Sequence, residues 1–326
     1  MTMKTRATAM MLASCAALFA GIAAARAESA IDWLFPDNKN KDANALPPDD
    51  GKIRSVPGSK VQLSIPQIRD FFAPPDWFPE DHPAPPSLVA NGVKPGIFAC
   101  GYCHLPTGNG RPENANIAGL PASYIMKQVE DMKSGARSSS VPDHFPQKLM
   151  IKLAAEAATD PGLADAAAYF AAMRPRAVVK VFETDTIPKV DIYRWVFKPA
   201  EGGGTEPLGN RLVELADDFE SFEERDGHVT YTAYVPKGAI AKGEALVKTG
   251  AGKTTACGIC HGADLKGLGF VPGIAGRSPG YLARQLYDMQ SGARNGEGAA
   301  LMKAVVAPLT HEDFVSITAF LATQEP

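Results

Sequence analysis

Cys100-Gly101-Tyr102-Cys103-His104 and Cys257-Gly258-Ile259-Cys260-His261 decide the reading of this chain. The two pentapeptides share one pattern, a pair of cysteines three apart with a histidine directly after the second, at an offset of 157 residues. The same offset aligns Ile117-Ala118-Gly119 with Ile274-Ala275-Gly276, Tyr124 with Tyr281 and Gln128 with Gln285. It also aligns Asp131-Met132 with Asp288-Met289, and Ser134-Gly135-Ala136-Arg137 with Ser291-Gly292-Ala293-Arg294. No gap is needed from Cys100 to Arg137. The chain is a duplication of one unit, and its period is far longer than the roughly 20–50 residues of solenoid arrays.

Cysteines three apart on a helical turn point the same way, so each can form a thioether to one porphyrin vinyl group. The histidine that follows is carried under the ring, where its imidazole can bind iron; this is the c-type haem attachment pattern. A disulfide gives no reason for a histidine after each second cysteine. A thioredoxin-like redox site belongs in a βαβ setting, whereas these surroundings are helical and rich in glycine and proline. A zinc ribbon needs its knuckles roughly 15–20 residues apart, but Cys103 and Cys257 are separated by 154. The expectation is two covalently bound haem c groups, attached at Cys100, Cys103, Cys257 and Cys260, with His104 and His261 as iron ligands.

With 45% hydrophobic and 21% charged residues, the 326-residue chain has an ordinary globular composition. Its 33 basic and 36 acidic residues exclude the basic surplus of a nucleic-acid binder. Lys4 and Arg6 precede an uncharged apolar run from Ala7 to Ala25, closed by Ala25-Arg26-Ala27, which reads as a signal peptide (1–27) cleaved near Ala27. Leu12-Ala13-Ser14-Cys15 offers a lipoprotein alternative at Cys15, but the apolar run continues past it. No other segment has the length of a membrane span, so the expectation is an exported periplasmic protein with no transmembrane segment after cleavage.

Ile125, Val129 and Met132, like Leu282, Leu286 and Met289, recur at helical spacing before a glycine stop. A closing helix follows in each unit, on Leu163, Ala167 and Phe170 and on Phe314, Ile317 and Phe320, the second with a Thr310–Asp313 cap. The fold class expected is mainly α, in five segments. After the signal peptide come a Pro-rich N-terminal extension (28–90) wrapped on the first domain, and helical domain 1 (91–175). A connector (176–240) with a short β hairpin built from 178–181 and 229–235 leads to domain 2 (241–326). His82, His228 and His311 have polar neighbours and read as surface residues.

The order of CxxCH, Ile-Ala-Gly turn, Tyr-x-x-x-Gln helix, Gly-x-Arg, methionine and closing helix resembles the class I diheme cytochromes c, of the c-four type. The resemblance covers about 100–173 and 257–323. It implies two cytochrome c folds with His/Met haems and a backbone carbonyl set against each proximal imidazole. Pro272 fills that carbonyl place in the second half, where the first has Ala115. Met302, 41 residues after His261, stands where the second distal ligand is expected. For the first haem, Met150 is the counterpart by its distance from the closing helix, and His144 is the rival by its distance from His104. Met132 and Met289 lie on apolar helix faces and read as core. Arg137 and Arg294 have two readings, a solvated helix end or a partner for a haem propionate.

The function this implies is electron transport by a carrier, not an enzyme. Electrons would pass from a dehydrogenase or quinol-oxidising complex to a terminal oxidase or reductase, with redox proteins as donor and acceptor. The alternatives are a diheme cytochrome c peroxidase, which needs an open distal face, and a cytochrome subunit of a dehydrogenase complex.

Overall fold

The computed structural model describes residues 31–40 and 45–326; the signal-peptide reading of 1–27 lies outside them. In the first unit, α1 (Cys100–His104) carries the first motif, followed by α2 (Ala122–Lys133), α3 (Phe145–Ala157) and α4 (Leu163–Ala172). The second unit opens with α5 (Ala239–Thr249) and continues through α6 (Gly258–His261), α7 (Pro279–Ser291), α8 (Glu297–Val306) and α9 (His311–Ala322).

The apolar stripes explain the packing. Leu246, Leu282, Phe314, Ile317 and Phe320 meet in the core of the second unit, and Ala166, Phe170 and Met173 in that of the first. In both units the Ile-Ala-Gly turn is pinned to the closing helix, by Gly119 N–H to the Phe170 carbonyl and by Gly276 N–H to the Leu321 carbonyl, each at 2.9 Å. The turn needs glycine, since φ is +68° at Gly119 and +65° at Gly276.

The halves differ at their first helix. In the second unit α5 crosses α9 so closely that a Cβ on Gly243 would stand 1.9 Å from the Ser316 carbonyl oxygen. The aligned stretch of the first unit holds Pro83, Pro85 and Pro86, and only one helical turn forms, Ser87–Ala90. Proline removes amide donors and forces its predecessor out of helix geometry. Leu88 and Val89 of this turn pack into the first core, so the unit begins before the 90/91 boundary expected from sequence.

The connector is a correction. Its two apolar runs do not form a hairpin: β1 (Val179–Glu183) and β3 (Tyr231–Val235) pair in parallel, and β2 (Val213–Ala216) adds antiparallel on the far side of β3. Parallel neighbours need a long crossover, and the intervening chain supplies it through one short hairpin, Val190–Tyr193 with Val196–Pro199, enclosed by the antiparallel pair Thr186–Pro188 and Thr205–Pro207, and through the helix Phe219–Glu223. The connector thus does hold a short hairpin, built from other residues than the two runs. The extension also reaches further than the first unit. Leu34 and Phe35 pack with Ala283 and Tyr287 of the second, and Trp77 Nε1 donates to the Glu224 carbonyl of the connector at 2.7 Å.

Candidate functional site

Each motif sits on a short helix that leaves its histidine buried, His104 on α1 and His261 on α6. His104 Nδ1 lies 2.8 Å from the Ala115 carbonyl, and His261 Nδ1 lies 2.8 Å from the Pro272 carbonyl. The departure from proline at 115 therefore leaves this contact in place, because a carbonyl needs no particular side chain. Donating the Nδ1 proton fixes the tautomer and leaves the Nε2 lone pair free for a metal. Burial, opposed by these carbonyls, lowers both imidazole pKa values and favours the neutral form that ligation requires. None of the four described cysteines is in a disulfide; burial pushes the Cys100 thiol up to about 12 and that of Cys257 to about 11.

His104 lines a cleft with about 900 Å³ of empty space, its mouth included. Met150, Met132, Ile117, Leu120 and Val129 share its walls, and Arg137 and Tyr124 stand at the side facing the second unit. Met150 and His104 are thus brought to one cavity. His144 is not: it caps α3, its Nε2 contacts the Pro36 carbonyl at 3.0 Å and its Nδ1 contacts Gln147 Oε1. In the second unit Met302 and Cys257 pack against the core.

Arg137 and Arg294 sit at the join of the units rather than on solvated helix ends. Arg137 donates to Gln128 Oε1 of its own unit (3.0 Å) and to Gln285 Oε1 (2.9 Å) and the Tyr281 hydroxyl (3.2 Å) of the other. Arg294 mirrors it, with Gln285 at 3.2 Å, Gln128 at 2.8 Å and Tyr124 at 2.7 Å. Arg294 Nε is buried without a partner, the environment an acidic group would satisfy.

Two buried arginines tie the units and the extension together. Arg277 is buried and crosses the join to the carbonyls of Asn116 (2.9 Å) and Ala118 (3.1 Å). Arg284 reaches the Leu34 carbonyl at 3.3 Å. Arg277 stands just before the N-cap Ser278 of α7 and Arg284 within that helix, and neither position carries a sequence signal of its burial. His82 is also corrected: its side chain is buried and bonds the Tyr169 hydroxyl at 3.0 Å and Asp76 at 3.2 Å.

No family model matches the chain. It is 25% identical to cytochrome c4 of Azotobacter vinelandii over 226 residues, 68% of this chain and 82% of that one. It is 36% identical to cytochrome c-554(548) of Halomonas halodenitrificans over 77 residues, 23% of this chain and 93% of the relative. Among solved structures it is similar to a thiosulfate dehydrogenase (TsdBA) from Marichromatium purpuratum, with a TM-score of 0.50 and 26% identity over 73% of this chain. The match spans 39% of that protein's own chain. The duplicated CxxCH units, their carbonyl-held histidines and these relatives lead to one conclusion: the chain is a c-type cytochrome, similar over 68% of its length to the diheme cytochromes c4.

Proposed function

We propose that this protein is exported to the periplasm and carries two covalent haem c groups. The first is held by Cys100 and Cys103 with His104 and Met150 as axial ligands, the second by Cys257 and Cys260 with His261 and Met302. Bound there, a haem supplies an iron that takes up and gives up one electron. The observation that carries the reading is the shared cleft of His104 and Met150, built from a unit that the chain contains twice.

The chain's own residues do the rest. The Ala115 and Pro272 carbonyls orient the imidazoles, and apolar walls exclude water from the iron edge. Arg137 and Arg294 put two cations where the units meet; with haem bound they would be available to its acidic groups and would favour an added electron. The role is carriage between a dehydrogenase or quinol-oxidising complex and a terminal oxidase or reductase. A permanent place beside a sulfur-compound dehydrogenase is the second reading, favoured by the likeness to part of a thiosulfate dehydrogenase chain.

Intact mass with a haem assay tests the assignment: two haems on a chain beginning at Glu28, and one after Cys257→Ala with Cys260→Ala. A single haem in the parent protein, or a lipid on Cys15, overturns it. Sustained peroxide turnover overturns the carrier role.

A further inference from the structure

The wall of the first cleft that carries Met150 is α3, which also contributes Pro146, Gln147 and Ile151. Its inner face packs on α2, with Met150, Ile151 and Ala154 against Val129 and Met132. The first turn of α3 is held by parts of the chain that belong to neither unit. His144, the N-cap, is buried, sets Nε2 3.0 Å from the Pro36 carbonyl and meets the edge of the Phe35 ring at 5.6 Å between centroids. Phe145 stacks on Trp195 in the turn of the connector hairpin, with centroids 4.6 Å apart and planes 12° apart.

The two holders are themselves joined. Asn38 donates its backbone N–H to the Arg194 carbonyl at 2.8 Å and its Nδ2–H to the Ile192 carbonyl at 2.7 Å. At their other end, Phe35 packs with Ala283 and Tyr287 of α7, and Arg284 of that helix reaches the Leu34 carbonyl at 3.3 Å. Residues 34–38 and the hairpin thus form a strap from the second unit to the start of α3. Counted from the methionines 150 and 302, His144 and Phe145 correspond to Gly296 and Glu297 of the second unit, which have no ring to offer such a strap.

We propose that Trp195 and Phe35 are positioning residues for Met150: through Phe145 and His144 the strap holds α3 shut over the first cleft and keeps the thioether at its axial place. The proposal rests on the reading of Met150 as a ligand. The helix needs such a hold. Of the thirteen residues of α3 only Ala154 and Ala157 are fully buried, so its own packing removes little apolar surface from water. Helices open from their ends at low cost where contacts are few, and Met150 lies in the second turn. Fraying of the first turns would carry Pro146, Gln147 and Met150 off the cleft together. Because the strap ends on α7, closure of the first distal wall is coupled to the second unit.

The test uses the haem-loaded full chain with Trp195→Ala and Trp195→Phe. Amide hydrogen exchange across 149–154 should quicken about tenfold in Trp195→Ala, return towards the parent rate in Trp195→Phe, and stay unchanged in α9. Both methionine–iron signatures should persist at rest. Cyanide added to the oxidised protein takes the axial place only after a thioether has left it, with no electron exchanged. Its binding should therefore quicken by the same factor at the haem whose signature Met150→Ala removes, and not at the other. Unchanged exchange across 149–154, equal acceleration in α9, no recovery with phenylalanine, or cyanide binding quickened at the other haem overturns the proposal. If Met150→Ala removes no signature, the axial assignment fails and with it the role given to the strap; unchanged exchange with the signature assigned to Met150 sinks the strap alone.

Discussion

Arg137 and Arg294 are paired by an antiparallel backbone bridge, and each guanidinium is bonded to both Gln128 and Gln285. The flanking bonds obey the same symmetry, Ser138 N–H to the Ala293 carbonyl (2.8 Å) and Asn295 N–H to the Ala136 carbonyl (2.7 Å). The repeat thus folds back on itself about a pseudo-twofold axis. Each arginine offers a planar fork that a lysine cannot reproduce.

Arg137→Ala or Arg294→Ala should each cost about 2 kcal/mol, because buried amide oxygens lose charged donors. The double variant should cost more than the sum, since in either single variant the remaining arginine still donates to both glutamine oxygens. Denaturant melts of the four proteins check this, and strict additivity would show that the forks act separately.

Met150→Ala should abolish one of two methionine–iron absorbance signatures and lower one haem potential. His144→Ala should keep both signatures and lose stability, as the imidazole ties α3 to Pro36. Low-temperature spectra of the oxidised proteins, with redox titrations, separate the outcomes. Loss of a haem ligand in the His144 variant would show that the first haem of the parent protein is bis-histidine.

Gly243→Ala should destabilise the second unit by about 2 kcal/mol or more, because the added methyl must displace the Ser316 backbone. Thermal unfolding followed at the second haem's absorbance measures it. An unchanged midpoint would show that α5 can shift freely over α9.

Asp313 caps α9, accepting from Thr310 N–H at 2.8 Å, and pairs with Lys253 and with Lys242 at 3.1 Å. Burial alone would raise its pKa; Lys253, Thr310 and Lys242 outweigh it and hold the carboxyl well below the usual range. The folded value is depressed, so its stabilisation is complete above the unfolded pKa of about 3.9 and is lost as pH falls below that. Asp313→Asn should lose about 2 kcal/mol at neutral pH and flatten the acid limb of the stability profile. Denaturant midpoints from neutral to strongly acid pH give the comparison.

The duplication, both motifs, the helices on Ile125–Met132 and Leu282–Met289, and the Thr310 cap were legible because each rests on local spacing. The roles of Arg137 and Arg294 were not, although their alignment was plain. Gly-x-Arg looks the same whether the arginine meets water, a cofactor or its own repeat, and only the twofold packing selects among these. The connector misled for a related reason. Alternation marks strands but carries no direction, so 178–181 and 229–235 look like a hairpin until β2 is seen to occupy the antiparallel side of β3. The shortened first helix is marked in the sequence by Pro83, Pro85 and Pro86, which lie ahead of the gapless stretch of the repeat that begins at Cys100.

The parallel pairing of β1 with β3 sets the Val178 carbonyl 2.8 Å from the Tyr231 amide. The chain leaves the scaffold after Val178 and comes back to the same place, so everything between is a closed excursion. The segment is nonetheless anchored on both units, by Leu212 in the apolar cluster with Val315 and Ala319 of α9, by Ser278 Oγ donating to Glu214, and by Arg111 donating to the Phe222 carbonyl. Phe222 and Arg225, which shield the first motif, lie on that excursion. The cover over the first CxxCH motif is therefore carried by an excursion of the connector and not by either repeated unit.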